Sequence, residues 1–430
     1  MKKLGSSKLQ LALAAWMACQ GLTAQAQDGG VYSELSFSQR IEAANNPALD
    51  PGANDARYEA TTALDYTITS RTRGKAISFS LGGDFRLSGD EAANTGDGLD
   101  FDRPRVELDY TSTSPRLDFK LNIKAVQNDI AFLNPIDLVD FNGGTTALPD
   151  DFDDLDGAGT RTSLRYRLRA DFDKDRPFSW GIGLMGNAIS YSDVTAPNLV
   201  DSARVTAVLD TGMSLSPTTR LDTRLGYTLT DEEDGTPASA TTFFNARLQS
   251  RLNDRVALSA GLALALPDIA ADRTTLTGGF TYRPTPTARL GFEAGLAILD
   301  GLTDRVVWRV SYEQDLSRTV SFNALYARDV SNNNDNQTVL SSIAQLGVDV
   351  ALSPISGFSF DGAFVDSDRI NVANDSEEMS TSAVYRRQVT KDWTASVGLR
   401  VTQRTTSAQG RARSEAIFVT LDRTWTAKHR

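Results

Sequence analysis

Residues 77–87 read Ile-Ser-Phe-Ser-Leu-Gly-Gly-Asp-Phe-Arg-Leu. Ile77, Phe79, Leu81, Phe85 and Leu87 share one parity, and Ser78, Ser80, Asp84 and Arg86 take the other. Successive side chains of an extended chain point to opposite faces, so the stretch predicts a strand with one apolar and one polar face. Soluble strands average only ~5–6 residues. A tilted strand that crosses a bilayer uses ~9–11, which is the length seen here.

The same period runs along the chain on both sides. Val31, Leu35, Phe37 and Ile41 alternate with Glu34, Ser36, Ser38 and Arg40, and Tyr58, Ala60, Leu64, Tyr66 and Ile68 repeat the pattern. About 20 such segments follow one another, from 31–42 to 414–425. An even count is what single-chain bacterial barrels use. The connections alternate short and long. Ser70–Gly74, Asp173–Arg176, Asn253–Arg255 and Asp315–Arg318 are short and hold the Gly, Asp, Asn and Ser of tight turns. Residues 43–56, 88–100, 128–160 and 367–378 are long. That asymmetry is expected of short periplasmic turns and longer outer loops, with both termini on the periplasmic side. The predicted fold is all-β: one transmembrane antiparallel β-barrel of about 20 strands, spanning residues 27–430. Leu81, Leu121, Leu168, Leu225 and Leu290 are predicted to face lipid. Trp180, Trp308, Tyr312, Tyr326, Tyr385, Trp393 and Trp425 fall near strand ends, where interfacial aromatics sit.

Residues 1–26 read as a secretory signal peptide. Met1-Lys2-Lys3 gives a basic start, Leu9 to Leu22 an apolar run, and Ala24-Gln25-Ala26 a small-residue cleavage site. The run falls short of the ~20 residues of a spanning helix. A lipoprotein alternative would modify Cys19, but Trp16-Met17-Ala18 before it is a poor recognition sequence. Export through such a leader predicts the outer membrane of a Gram-negative-type envelope. Outer-membrane lipid and the barrel-assembly machinery are then the expected partners. The last strand, Ala416 to Trp425, resembles a barrel-assembly signal but departs from it by not ending on an aromatic.

Composition narrows the function. The formal net charge is −11, and loss of Lys2, Lys3 and Lys8 makes the rest more acidic. General nucleic-acid binding needs a basic footprint, so it is not expected. Cys19 is the sole cysteine and His429 the sole histidine. No disulfide framework, imidazole base or Ser-His triad is available to the mature chain. An enzyme is therefore not expected, and no cofactor motif occurs. The first strand opens within ~10 residues of the expected mature N-terminus, which leaves no room there for a plug of the kind found in ~22-stranded transporters.

Charge on the polar parity is the feature closest to chemistry. Arg161, Arg165, Arg167 and Arg169 share one face of a strand, and Arg103, Arg105, Lys120 and Lys124 lie on polar parities nearby. Arg204, Arg220, Arg224, Arg247 and Arg251 continue the series. Fixed cations on a pore wall attract anions, and guanidinium forks suit carboxylate, sulfate and phosphate. The competing reading is a neutralised wall, with Glu107, Asp109, Asp118, Asp171, Asp210 and Asp222 opposite the cations. Both readings stay open at this level.

The 128–160 connection is far longer than its neighbours. Asn134-Pro135 predicts a capped helical start running to Phe141, and its apolar residues predict burial in the barrel mouth. Asp150, Asp151, Asp153, Asp154 and Asp156 then form a dense acidic run. Calcium favours such carboxylates, but the spacing is not that of an EF-hand loop. A solvated acidic loop is the default, and inward folding would pair it with the arginine ladder.

Leu35-Ser36-Phe37-Ser38-Gln39-Arg40-Ile41-Glu42 followed by Asn45-Asn46-Pro47 resembles the opening of the β-barrel porin 2 family, which is associated with exopolysaccharide. The resemblance implies an export or assembly role at the outer membrane and brings no catalytic residue with it. Expectations for function are a passive pore or polysaccharide-export conduit, or else a structural, surface-presenting barrel closed by the long loop.

Overall fold

In the computed structural model, residues 30–429 are described except 48, 50, 53–55, 91–98, 140–147, 150, 156, 195, 197–198, 234–236, 334–336, 371–374 and 408–409. The expected leader, 1–26, lies outside the described residues. Twenty strands form one sheet, each antiparallel to the next, and the last pairs with the first. The first strand, β1 (Gly30–Asn45), runs beside the last, β20 (Gly410–His429), from Val31↔His429 to Asn45↔Glu415. Ring closure leaves no unpaired edge, which is what hydrocarbon demands of a sheet. The sole histidine is spent at this seam, with its Nε2 2.7 Å from Ser33 Oγ.

Around the ring, most of the exposed large apolar side chains lie on the outward parity. Ile41 is 62% exposed and Leu399 57%, values that water would penalise and lipid rewards. Leu81 and Leu225 are exposed on the same belt, and Leu121, Leu168 and Leu290 keep the outward parity. Phe172 stacks on Trp180 at 4.1 Å, and Trp393 meets Trp425 edge-on at 6.4 Å. Leu225→Arg is therefore expected to cost about 2–4 kcal/mol near mid-bilayer. Urea titration of folding into lipid vesicles checks this, and an unchanged midpoint would place Leu225 off the lipid face.

Six of the short turns share one device. Ser114, Ser216, Asn253, Ser317, Ser353 and Thr390 each accept a main-chain N–H from two or three residues ahead, at 2.9–3.3 Å. These short polar side chains mimic a backbone turn. The residue before five of these caps is apolar and exposed: Leu215, Leu252, Leu316, Leu352 and Val389. They mark the lower rim of the belt.

The strands are longer at the long-loop end than alternation alone predicts. The third and fourth, β3 (Lys75–Asp90) and β4 (Leu99–Thr113), pair beyond the apolar run, because ladder hydrogen bonds need no apolar face. Strict alternation also fails there. The register shifts between Gly82 and Asp84, opposite Arg103 and Pro104, and Arg103 takes φ +49°. Pro104 has no N–H to give the ladder, so a bulge accommodates it. The bulge turns Asp102 inward, on the side where Arg105 already points.

Candidate lumen site and the inserted loop

The long connection between β5 (Leu117–Asp129) and β6 (Thr160–Phe172) folds inward. It contains two short 3-10 helices, η1 (Ile130–Phe132) and η2 (Pro135–Leu138). Asn134 caps η2 by accepting the Ile136 N–H at 3.3 Å, with Pro135 first in the helix, as the sequence predicts. The helix is short, ending at Leu138; Phe141 and the Gly143-Gly144 that follow lie outside the described residues. Ile136, Val139 and Phe152 are buried against Ala327, Ile343 and Val365. Those three come from the inner faces of β15 (Val320–Asn332), β16 (Thr338–Ser353) and β17 (Ser356–Arg369). Ile130 and Leu155 form a second cluster with Leu199. The loop thus has its own apolar seat on the barrel wall.

Polar contacts complete the seat. Arg161 is only 1% exposed and holds Asp151 through Nε at 2.5 Å and Nη2 at 3.1 Å. Tyr191 donates its hydroxyl to the same carboxylate at 2.5 Å. Arg369 reaches Asp153 at 3.1 Å and Asp154 at 3.0 Å, and Ser367 donates to Asp153 at 2.9 Å. Arg404 donates to the Leu155 carbonyl at 2.8 Å. Burial raises the Asp153 carboxyl above its ordinary range, outweighing the charge of Arg369. The Phe132 ring lies between two guanidiniums, 4.1 Å from Arg57 and 3.7 Å from Arg86. Arg86 in turn pairs with Glu59 at 3.1 Å and Asp102 at 2.8 Å.

The described part of the acidic run is therefore not solvated: Asp151 and Asp153 are buried against the barrel wall. Asp151 turns to Arg161 while Asp153 and Asp154 share Arg369 on the opposite wall, and among the described residues no group of three or more carboxylates converges. Asp150 and Asp156 lie outside the described residues. Inward folding of the loop onto the ladder is seen at Arg161. Arg369 and Arg404, the other anchors, escaped the sequence reading. Their inward parity near strand ends was visible, but nothing local ties them to a loop more than 200 residues away.

The eight cations singled out in the sequence meet different fates. Arg161 is a loop anchor under cover, not an exposed part of the pore wall. Arg169 is neutralised by Asp171 at 2.8 Å and Asp210 at 2.9 Å. Arg105 bridges Asp65 at 2.5 Å and Asp84 at 2.8 Å, tying β4 to two strands before it. Lys124 lies 3.7 Å from Glu107, and Arg103 3.8 Å from Asp84. Arg165, Arg167 and Lys120 remain exposed to the lumen. Arg165 and Lys124 line a cavity of about 230 Å³ with Arg86, Arg103 and Asp137. Along β3 to β9 (Thr219–Glu232) the neutralised-wall reading wins at most positions.

The opposite wall differs. On β11 (Val256–Pro267), β12 (Arg273–Tyr282) and β13 (Ala288–Leu299) the inward parity is mostly small: Ser259, Gly261 and Ala263, then Thr275, Thr277 and Gly279, then Gly291 and Gly295. Among the described residues, the loop's anchors on strands fall on β15 to β17, on the strand of Arg404 (Trp393–Thr406), and on the strands from that of Arg57 (Ala56–Thr72) to that of Tyr191 (Phe178–Ser192), not on β9 or β11 to β13. Small side chains project little into the lumen along this wall.

No family model matches the chain, and no curated protein matches it by sequence. Solved structures do match in shape. A ferric enterobactin receptor, PfeA, from Pseudomonas aeruginosa superposes with a TM-score of 0.53 at 9% identity, over 94% of this chain and 81% of that one. The siderophore receptor PirA from Acinetobacter baumannii gives 0.52 at 8%, over 94% and 81%. The FrpB iron transporter from Neisseria meningitidis gives 0.51 at 8%, over 93% and 83%. The shared property at such identities is the fold: this chain is a closed antiparallel barrel of the shape found in those outer-membrane proteins.

Proposed function

We propose that this chain is a porin-like pore or conduit of the outer membrane, passing small solutes or taking part in polysaccharide export. It reaches that membrane through its leader, loses residues 1–26, and is inserted by the barrel-assembly machinery. It is not an enzyme. The observation that carries the reading is the uneven lumen: a loop anchored on β6 and on β15 to β17, and between these anchors a wall, β11 to β13, of small side chains that it leaves uncovered. A polar lumen inside an apolar belt is the arrangement of aqueous barrels. Anionic solutes suit it best, because the exposed lumen cations Arg167 and Lys120 stand among pairs that cancel.

Planar-bilayer recording of the purified chain tests the proposal. A steady conductance is expected. Deleting residues 145–157 is expected to increase it and to shift ion preference towards anions, since carboxylates leave and Arg161 is uncovered. A silent membrane with both proteins would instead favour the second reading, a structural, surface-presenting barrel. The apolar seating of the loop across the lumen is what speaks for that alternative.

A further inference from the structure

The short-turn end of the small-residue wall carries a second cluster of arginines. It spans β10 (Ser239–Arg251) to β13 and lines a cavity of about 240 Å³. Arg247 and Arg251 point inward from β10, Arg255 stands in the turn that follows, Arg283 comes directly after β12 and Arg289 is second in β13. All five are exposed. Three carboxylates lie close: Asp254 in the turn, Glu293, which Arg247 takes at 2.6 Å, and Glu313, opposite Arg289 on the next strand (Arg305–Asp315). Among the described residues, Arg251, Arg255, Arg283 and Arg289 have no carboxylate partner.

The backbone forces these charges together. Arg283 donates its N–H to the Arg255 carbonyl at 2.8 Å. Arg283 follows Tyr282 and Arg289 precedes Leu290, the terminal pair of the β12–β13 ladder, so the two arginines stand side by side. Like charges on facing strand positions repel, and at these separations their fields lie within the ~8 Å physiological screening length. Elsewhere in the lumen the chain offsets such pairs with aspartates. Here Asp254, Glu293 and Glu313 stand against five arginines, so an outside anion is the natural counter-charge for the surplus.

We propose that the β10–β13 arginine cluster is a binding site for an extended polyanion at the periplasmic mouth of the barrel. Three interstrand steps spread the guanidiniums over ~14 Å, more than one oxyanion can bridge. A chain bearing regularly spaced carboxylates or sulfates matches that spread, each group held by a planar two-pronged guanidinium. The site faces the side from which an exported acidic polymer arrives. Its role rests on the conduit reading, but its binding does not.

Isothermal titration of the whole protein in non-ionic detergent tests the site without needing a conducting pore. The probes are trigalacturonate and inorganic phosphate at equal ionic strength. Trigalacturonate is expected to bind saturably and at least tenfold tighter than phosphate. Changing Arg251, Arg283 and Arg289 together to Gln is expected to weaken it at least tenfold, and R283Q or R289Q alone to weaken it by less. Arg387→Gln, on the outward face of β18 (Asp375–Gln388), is expected to leave it unchanged. Circular dichroism confirms that each variant is folded. Absence of binding, equal binding by the triple variant, or phosphate binding as tightly as trigalacturonate would each overturn the proposal. Binding without conductance removes the conduit reading and leaves the site. Conductance without binding does the reverse.

Discussion

Replacing Arg161 by glutamine is expected to raise conductance, with little direct effect on the attraction for anions. The side chain is buried and holds Asp151 through two hydrogen bonds, with Tyr191 on the same carboxylate. Removing one partner of a buried pair leaves the other charge stranded, typically at a cost of ~3–5 kcal/mol. Here that cost falls on the seating of the loop, because the barrel itself is held by its ladders. A loosened loop frees the lumen on the β6 side. Arg167 makes the contrast. It lies on the same face of β6 but is exposed, between Asn122 and Met185 on the neighbouring strands. Arg167→Gln is expected to lower anion preference at unchanged conductance. Single-channel currents and reversal potentials under a salt gradient separate the two. If Arg161→Gln lowered anion preference while conductance stayed at the parent value, the arginine would be wall charge and not an anchor.

Phe152→Ala is expected to unseat the same loop from the other side of the lumen. Phe152 is 2% exposed and packs with Ile136 and Val139 on Ala327, Ile343 and Val365. Truncating a buried phenylalanine costs ~3–5 kcal/mol, part of it for the cavity left behind. The loop has ionic anchors besides, so it is expected to open often and not to detach for good. Limited proteolysis of the protein in vesicles, read by mass spectrometry, is expected to cut within residues 128–160 at least tenfold faster than in the parent. The heat-dependent gel migration of the barrel is expected to stay the same. Equal cutting rates would mean that the apolar seat contributes nothing to closure.

Much of this architecture was legible in the chain itself. The alternation of Ile77 to Leu87 and its repeats gave an all-β barrel, its strand number and its outward face. Side-chain direction in a strand is fixed by the pleat of its own backbone, so it can be read without knowing any neighbour. The turn caps and the Asn134-Pro135 start are equally local, each set by a hydrogen bond spanning a few residues. The bulge at Pro104, which cannot donate to the ladder, was not part of that reading, and it turns Asp102 inward.

The site was less legible, and for a physical reason. Whether an arginine is spent or available depends on which carboxylates stand within about 4 Å of it, and that is decided across strands. Arg161 and Arg167 look alike in sequence; only the fold of the loop puts Asp151 on one of them. Asp153 and Arg369 meet across 216 residues because the ring closes and brings β17 round to the loop. Arg283 and Arg289 stand side by side because the register of β12 and β13 sets them there, with Glu313 opposite Arg289 as the one carboxylate for the two. By itself the sequence determined the barrel, its two faces and its two ends, since those follow from local backbone geometry. Tertiary structure alone decided which lumen charges cancel, which side the loop covers and where cations remain for a solute, since those depend on contacts between segments distant in the chain.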